Sequence, residues 1–179
     1  MKCIKAFIII IILGMGAGLG LMYSGVINVA ATNPHSALVD WALSNASDNS
    51  IHFHAKGIKA PFVNDAVMVH AGFRHYREMC VHCHLAPGIK SSEIRKGLMP
   101  QPPKLQEAAE EWTPAELFWV IKNGIKMTGM PAWGPTHSDK KIWEIVAFVK
   151  QLPKMTTAQY KAMDAASGPD PDEETDHSH

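Results

Sequence analysis

The chain has 179 residues, enough for one modest domain with appendages, and its 17 Lys and Arg balance 17 Asp and Glu. No dense Lys/Arg run or aromatic-interleaved basic patch occurs, which excludes nucleic acid as a partner, and three cysteines are too few for a disulfide framework. The charge is unevenly placed. Residues 1–32 carry Lys2 and Lys5 and no acid, residues 164–179 carry six acids and no Lys or Arg, and the stretch between holds 15 basic against 11 acidic residues. A mildly basic body suits an acidic protein partner.

Residues 1–5 read as a cytoplasmic N-terminus, and residues 6–27 as one transmembrane helix in contact with the lipid bilayer. The segment is apolar or glycine-rich, and no charge follows Lys5 until Asp40. Lys2 and Lys5 hold the start in the cytoplasm and place the body on the opposite face of the inner membrane. Val29-Ala30-Ala31 also passes as a signal-peptide cleavage site. The apolar run exceeds the usual signal core, which favours a retained anchor.

Residues 28–63 read as a juxtamembrane linker with helical stretches. Leu38, Val39, Trp41 and Leu43 give a short amphipathic pattern capped by Ser36 and broken at Asp48-Asn49-Ser50. His52 and His54, in a second turn, read as solvent-facing or packing residues. The compact domain is expected over 64–155. Its first helix is capped by Asn64 or Asp65, with Val69, Phe73, Tyr76 and Cys80 recurring on one face. Gly72 interrupts that face at a cost of about 1 kcal/mol against Ala, which makes sense if another backbone crosses there. Residues 85–111 are loop-rich. A well-marked helix follows, with a Thr113/Glu116 capping box, Pro114 at its first position and Asn123-Gly124 at its end. Ser138 caps the last helix, whose buried stripe is Ile142, Ile145, Val146 and Val149. Residues 156–179 read as a disordered acidic tail. No strand-like alternation is sustained, so the fold class is all-α.

The chemistry sits in REMCVHCHLAPG, residues 77–88, where Cys80, Cys83 and His84 fall within five positions. A structural zinc site wants four ligands, usually in two paired sets, and no second pair lies downstream. A redox dithiol of the thioredoxin kind needs a βαβ setting, which is absent. C-x-x-C-H is the attachment signature of a c-type haem, and an exported domain suits it.

These residues resemble those of class I (mono-haem) cytochrome c, here in a membrane-anchored form. The likeness covers roughly residues 64–154: Gly72 and Tyr76 ahead of Cys80, the attachment motif from Cys80 to His84, Pro103-Lys104-Leu105 as a Pro-x-Leu loop, GMPAW at 129–133 as a sixth-ligand loop, and a C-terminal helix whose aromatic, Phe148, packs near the N-terminal glycine. The resemblance implies class I cytochrome c helices around one covalently attached haem c. Cys80 and Cys83 would carry the thioethers, His84 would be the proximal iron ligand and Met130 the distal one. Pro103 and Leu105 would line the cofactor, with the Pro103 carbonyl accepting from the His84 ring. Met99 and Met127 are the rival methionines, and His70, His75 and His137 the rival histidines. Two committed ligands imply one-electron transfer rather than catalysis, by a periplasmic anchored carrier or the haem subunit of a membrane respiratory complex, with redox proteins or complex subunits as partners. Lys90, Arg95, Lys96, Lys104 and Lys126 would ring the haem edge and steer acidic partners. The alternative is a haem enzyme or a gas or redox sensor with an exchangeable distal position.

Overall fold

The structure, a computed structural model, describes residues 2–167. They fall into two units, one ending at Asn33 and one beginning at Pro34. The first is built on α1 (Lys2–Tyr23), whose Cys3–Tyr23 stretch has a mean hydropathy of 2.3. Its length and composition suffice to cross a membrane, which is also what a signal sequence shows.

The second unit carries α2 (Ala37–Ala55), α3 (Ala66–His75), a π-helical turn (Tyr76–Cys80), α4 (Val81–His84), α5 (Glu93–Gly97), α6 (Leu105–Ala108), α7 (Pro114–Asn123), α8 (Asp139–Val149), a 3₁₀ turn (Leu152–Lys154) and α9 (Thr157–Ala166). Among the described residues there is no strand, in line with the all-α reading. The helix starts follow from side-chain chemistry. Asp65 accepts from the Val67 and Met68 amides, Thr113 and Glu116 form the capping box of α7, and Ser138 accepts from Lys141 N at the start of α8.

The core forms where α3 crosses α8. A Cβ on Gly72 would lie 1.8 Å from the Glu144 carbonyl oxygen and 2.4 Å from its carbon, so only glycine admits this crossing. The close approach lets Phe73 meet Phe148 edge-on at 5.3 Å, with Tyr76 tilted against Phe148 at 5.1 Å. Phe148 therefore packs one turn beyond the glycine contact, which the Glu144 backbone makes. Ile142, Ile145, Val146 and Val149 are all buried, each worth about 1.5–3 kcal/mol in transfer terms.

Two expectations change. The helix that was expected to break at Asp48-Asn49-Ser50, inside a linker over 28–63, runs unbroken to Ala55 and packs on α7. Docking outweighs local preference here. Ile51 and Ala55 are buried, His52 Nδ1 lies 2.5 Å from Glu116 Oε1, His52 stacks on Trp112, and His54 stacks on Trp119. The compact unit thus starts well before residue 64. The stretch 156–179 was expected to be a disordered tail, yet residues 157–166 are helical. Thr156 and Gln159 close a capping box, and Tyr160 is buried edge-on against Phe73. The remainder of that call, residues 168–179, lies outside the described residues.

Candidate functional site

The expected site residues come from three segments. Cys80 closes the π turn, and Cys83 and His84 lie on α4. The helix stops at Leu85, which has φ +60°, and the buried Tyr76 hydroxyl donates to the Leu85 carbonyl at 2.6 Å. Burial, with Cys80 and Tyr160 adding to it, holds the Tyr76 hydroxyl well above its ordinary pKa, so it stays a donor. The aromatic four residues before Cys80 therefore fixes the end of the helix that carries the site. Sequence reading matched this aromatic but missed its hydroxyl's role.

His84 Nδ1 lies 2.9 Å from the Pro103 carbonyl oxygen. A carbonyl only accepts, so Nδ1 carries a proton, and in the neutral ring Nε2 keeps its lone pair. Burial lowers the proton affinity of His84. The Pro103 bond pulls the other way, and the nearby Arg95 charge lowers it again. A neutral imidazole with a fixed tautomer and an available Nε2 is what a metal ligand requires. Leu105 begins α6 and packs, half-buried, against the core cluster.

Met130 lies in the third segment. Its amide donates to Thr128 Oγ1 at 3.1 Å, and its carbonyl accepts from Ile125 N at 3.2 Å. Gly124, φ +66°, lets this loop cross the end of α7: a Cβ there would come within 2.7–2.8 Å of the Met130–Ala132 backbone. Met130 is half-buried and touches the core cluster, whereas Met127 is 97% exposed at φ +60°. Of these two methionines, only Met130 is held inward. Among the rival histidines, His75 and His137 lie edge to face with ring centres 6.1 Å apart, and His70 is exposed.

The cysteines bear on the alternatives. Burial, with Cys83 adding to it, pushes the Cys80 thiol up to about 12, the opposite of an activated redox cysteine. Cys80 and Cys83 are both free thiols, and among the described residues no three His, Cys, Asp or Glu side chains converge to hold a metal ion. The raised Cys80 thiol disfavours the dithiol reading, and two cysteines beside His84 suit a group attached through two thioethers and one imidazole. Arg95 supports the fit: its Nε is buried with no acceptor, beside an imidazole whose proton affinity it lowers.

Of the five expected steering cations, Lys90, Lys96 and Lys126 are exposed, and Lys104 is paired with Glu107 at 2.9 Å. Arg95 differs. It is half-buried, with Nη2 donating to the Pro102 carbonyl at 3.0 Å, so it is tied into the site rather than presented to a partner. Ser92, the N-cap of α5, ties that helix to the His82 carbonyl. Sequence reading missed both bonds, because their acceptors are backbone groups brought near by the loop path.

Residues 67–149 match the family model described as cytochrome c oxidase, cbb3-type, subunit III. A search of curated proteins found no match.

Proposed function

We propose, on the match of residues 67–149 to the oxidase subunit III model, that this stretch is a cytochrome c domain, that the chain holds one covalent haem c, and that it transfers single electrons as part of, or beside, a membrane respiratory complex. Cys80 and Cys83 supply the thioethers, His84 the proximal ligand through Nε2, and Met130 the distal ligand. The Pro103 carbonyl orients His84, and Leu105 gives the cofactor an apolar neighbour. When bound, the haem iron cycles between ferric and ferrous, and His/Met ligation favours the higher range of potentials.

The chain's own contribution is positional. His84 is held in one tautomer, Met130 is held inward by the Gly124 crossing, and Tyr76 fixes the end of α4. The observation that carries the proposal is the His84–Pro103 bond, which occupies Nδ1 and leaves Nε2 as the nitrogen that can ligate.

The proposed layout is a cytoplasmic start at 1–5, an anchor at 6–27 and a periplasmic haem domain. α2 serves as a docked arm rather than a free linker. An N-terminal apolar helix supports either an anchor or a signal sequence. A retained anchor would keep the carrier at high effective concentration near membrane oxidases or dehydrogenases.

The test is a set of visible spectra of the exported, matured protein, oxidised and reduced, with and without carbon monoxide. A low-spin c-type spectrum indifferent to carbon monoxide is expected. The weak long-wavelength ferric band of sulfur ligation should vanish in Met130→Ala. A high-spin spectrum shifted by carbon monoxide would replace electron transfer with an exchangeable-site enzyme or sensor.

A further inference from the structure

Arg95 is the cation of the site that no surface role explains. It sits in α5, whose N-cap Ser92 accepts from the Arg95 amide at 3.1 Å and is itself bonded to the His82 carbonyl. The guanidinium turns inward, and Nη2 donates to the Pro102 carbonyl at 3.0 Å. The next residue, Pro103, accepts from His84 Nδ1 at 2.9 Å. Two consecutive carbonyls of one rigid Pro-Pro segment are therefore held from opposite ends, one by Arg95 and one by His84. The Pro103 ring fixes the φ between the two carbonyls, so once the first is held a single torsion, ψ of Pro103, sets the second.

We propose that Arg95 is a positioning residue for His84. It clamps the Pro102 carbonyl, which aims the Pro103 carbonyl at Nδ1, and its half-buried charge favours the less positive state of whatever Nε2 holds. The inference rests on the haem reading above and deepens it.

Two physical effects meet at His84: the clamp firms the Nδ1 bond and makes the imidazole a stronger donor, and the charge, which outweighs it, opposes any further positive charge. A fixed positive charge in a partly desolvated site raises the cost of any further positive charge nearby. Arginine suits the role because its planar fork stays charged and keeps its geometry, while a lysine is a flexible point charge. Nε, a second donor of the same guanidinium, is buried without an acceptor among the described residues.

The experiment compares native protein, Arg95→Gln and Arg95→Lys, all matured with haem, by spectroelectrochemical titration. Covalent low-spin spectra in all three establish the haem reading independently of Arg95. Absence of covalent haem in the native protein would sink that reading instead. Arg95→Gln is expected to shift the redox equilibrium about tenfold towards the oxidised state, a fall of 59 mV for a one-electron couple. Arg95→Lys, which keeps the charge and loses the fork, should stay within about twofold of native. A Gln variant within twofold of native, with its spectrum intact, overturns the proposal.

A second measurement needs no variant. In the reduced native protein the Arg95 guanidinium protons should appear as separate, slowly exchanging nitrogen-edited signals, and the His84 Nδ1 proton should be protected as well. A freely rotating, solvent-exchanged guanidinium would overturn the clamp even if the Gln variant failed to mature.

Discussion

Substituting alanine for Gly72 tests the architecture that holds the site. The added Cβ would stand 1.8 Å from the Glu144 carbonyl oxygen, 2.4 Å from the carbonyl carbon and 3.0 Å from Ile145 N, all of them backbone atoms. A carbon and a carbonyl oxygen settle at about 3.3 Å, so α3 and α8 must part by about 1.5 Å. A gap of about 1 Å already forfeits a quarter to a half of each dispersion contact along the seam. That seam contains Phe73, Tyr76, Ile145 and Phe148, each exposed by 1% or less. Overpacking against yielding side chains costs about 1–3 kcal/mol. Against two helix backbones the upper end or slightly more applies, about 3–4 kcal/mol. For a domain of this size that lowers Tm by about 10–15 °C. The measurement is urea and thermal unfolding of the matured, detergent-solubilised protein. The control is Gly97→Ala, a position in α5 with open space around it, which should gain up to about 1 kcal/mol from helix preference. If Gly72→Ala unfolds within about 1 kcal/mol of native, the crossing is not what sets the glycine, and the packing argument for α3 fails.

Burial would raise the Glu116 carboxyl, but the bond to His52 and the two to Thr113 outweigh it, so its pKa lies below the ordinary value. A depressed acid contributes stability that is present above its unfolded pKa and lost as pH falls through the folded one. Urea stability should therefore decline below about pH 4.3, and Glu116→Gln, which can still serve the capping box, should flatten that decline; an unchanged acid limb would remove His52–Glu116 from the docking of α2. Tyr160→Ala should cost about 3 kcal/mol by emptying the space over Phe73, read from the urea midpoint, whereas a truly disordered tail would give no change. Charge reversal of exposed Lys96 and Lys126 should flatten the ionic-strength dependence of electron transfer to an acidic partner by slowing association; an unaltered salt slope would place the docking surface elsewhere.

The legible features of this chain are those whose cause is local. The caps at Asp65, Thr113 and Ser138 need only a side-chain oxygen and an amide two or three residues on, so the sequence contains both partners side by side. Cys80, Cys83 and His84 are legible for the same reason. The docking of α2 was not, because His52 and His54 find Trp112, Glu116 and Trp119 more than fifty residues away. Nor was α9, where the acids of the last residues masked the Thr156/Gln159 box and the one aromatic, Tyr160, that docks it.

The instructive failure lies inside the helix that leads to the site. The spacing of Val69, Phe73, Tyr76 and Cys80 presumes 3.6 residues per turn throughout. The chain instead makes a π turn at Tyr76–Cys80, with the Val81 amide reaching back to the Tyr76 carbonyl. One extra residue per turn rotates everything after Tyr76 away from the face that precedes it. Phe73 and Tyr76 stay fully buried between α3 and α8, while Cys80 is only partly buried and Cys83 and His84 leave the core face. A regular helix would keep Cys80 in line with Tyr76 and direct the motif into the packed seam. The bulge, the Tyr76–Leu85 bond and the left-handed Leu85 together turn the motif towards the segment that carries Pro103. The rigid half of this helix belongs to the core. Its irregular half belongs to the site, and hydrophobic periodicity can describe only the first.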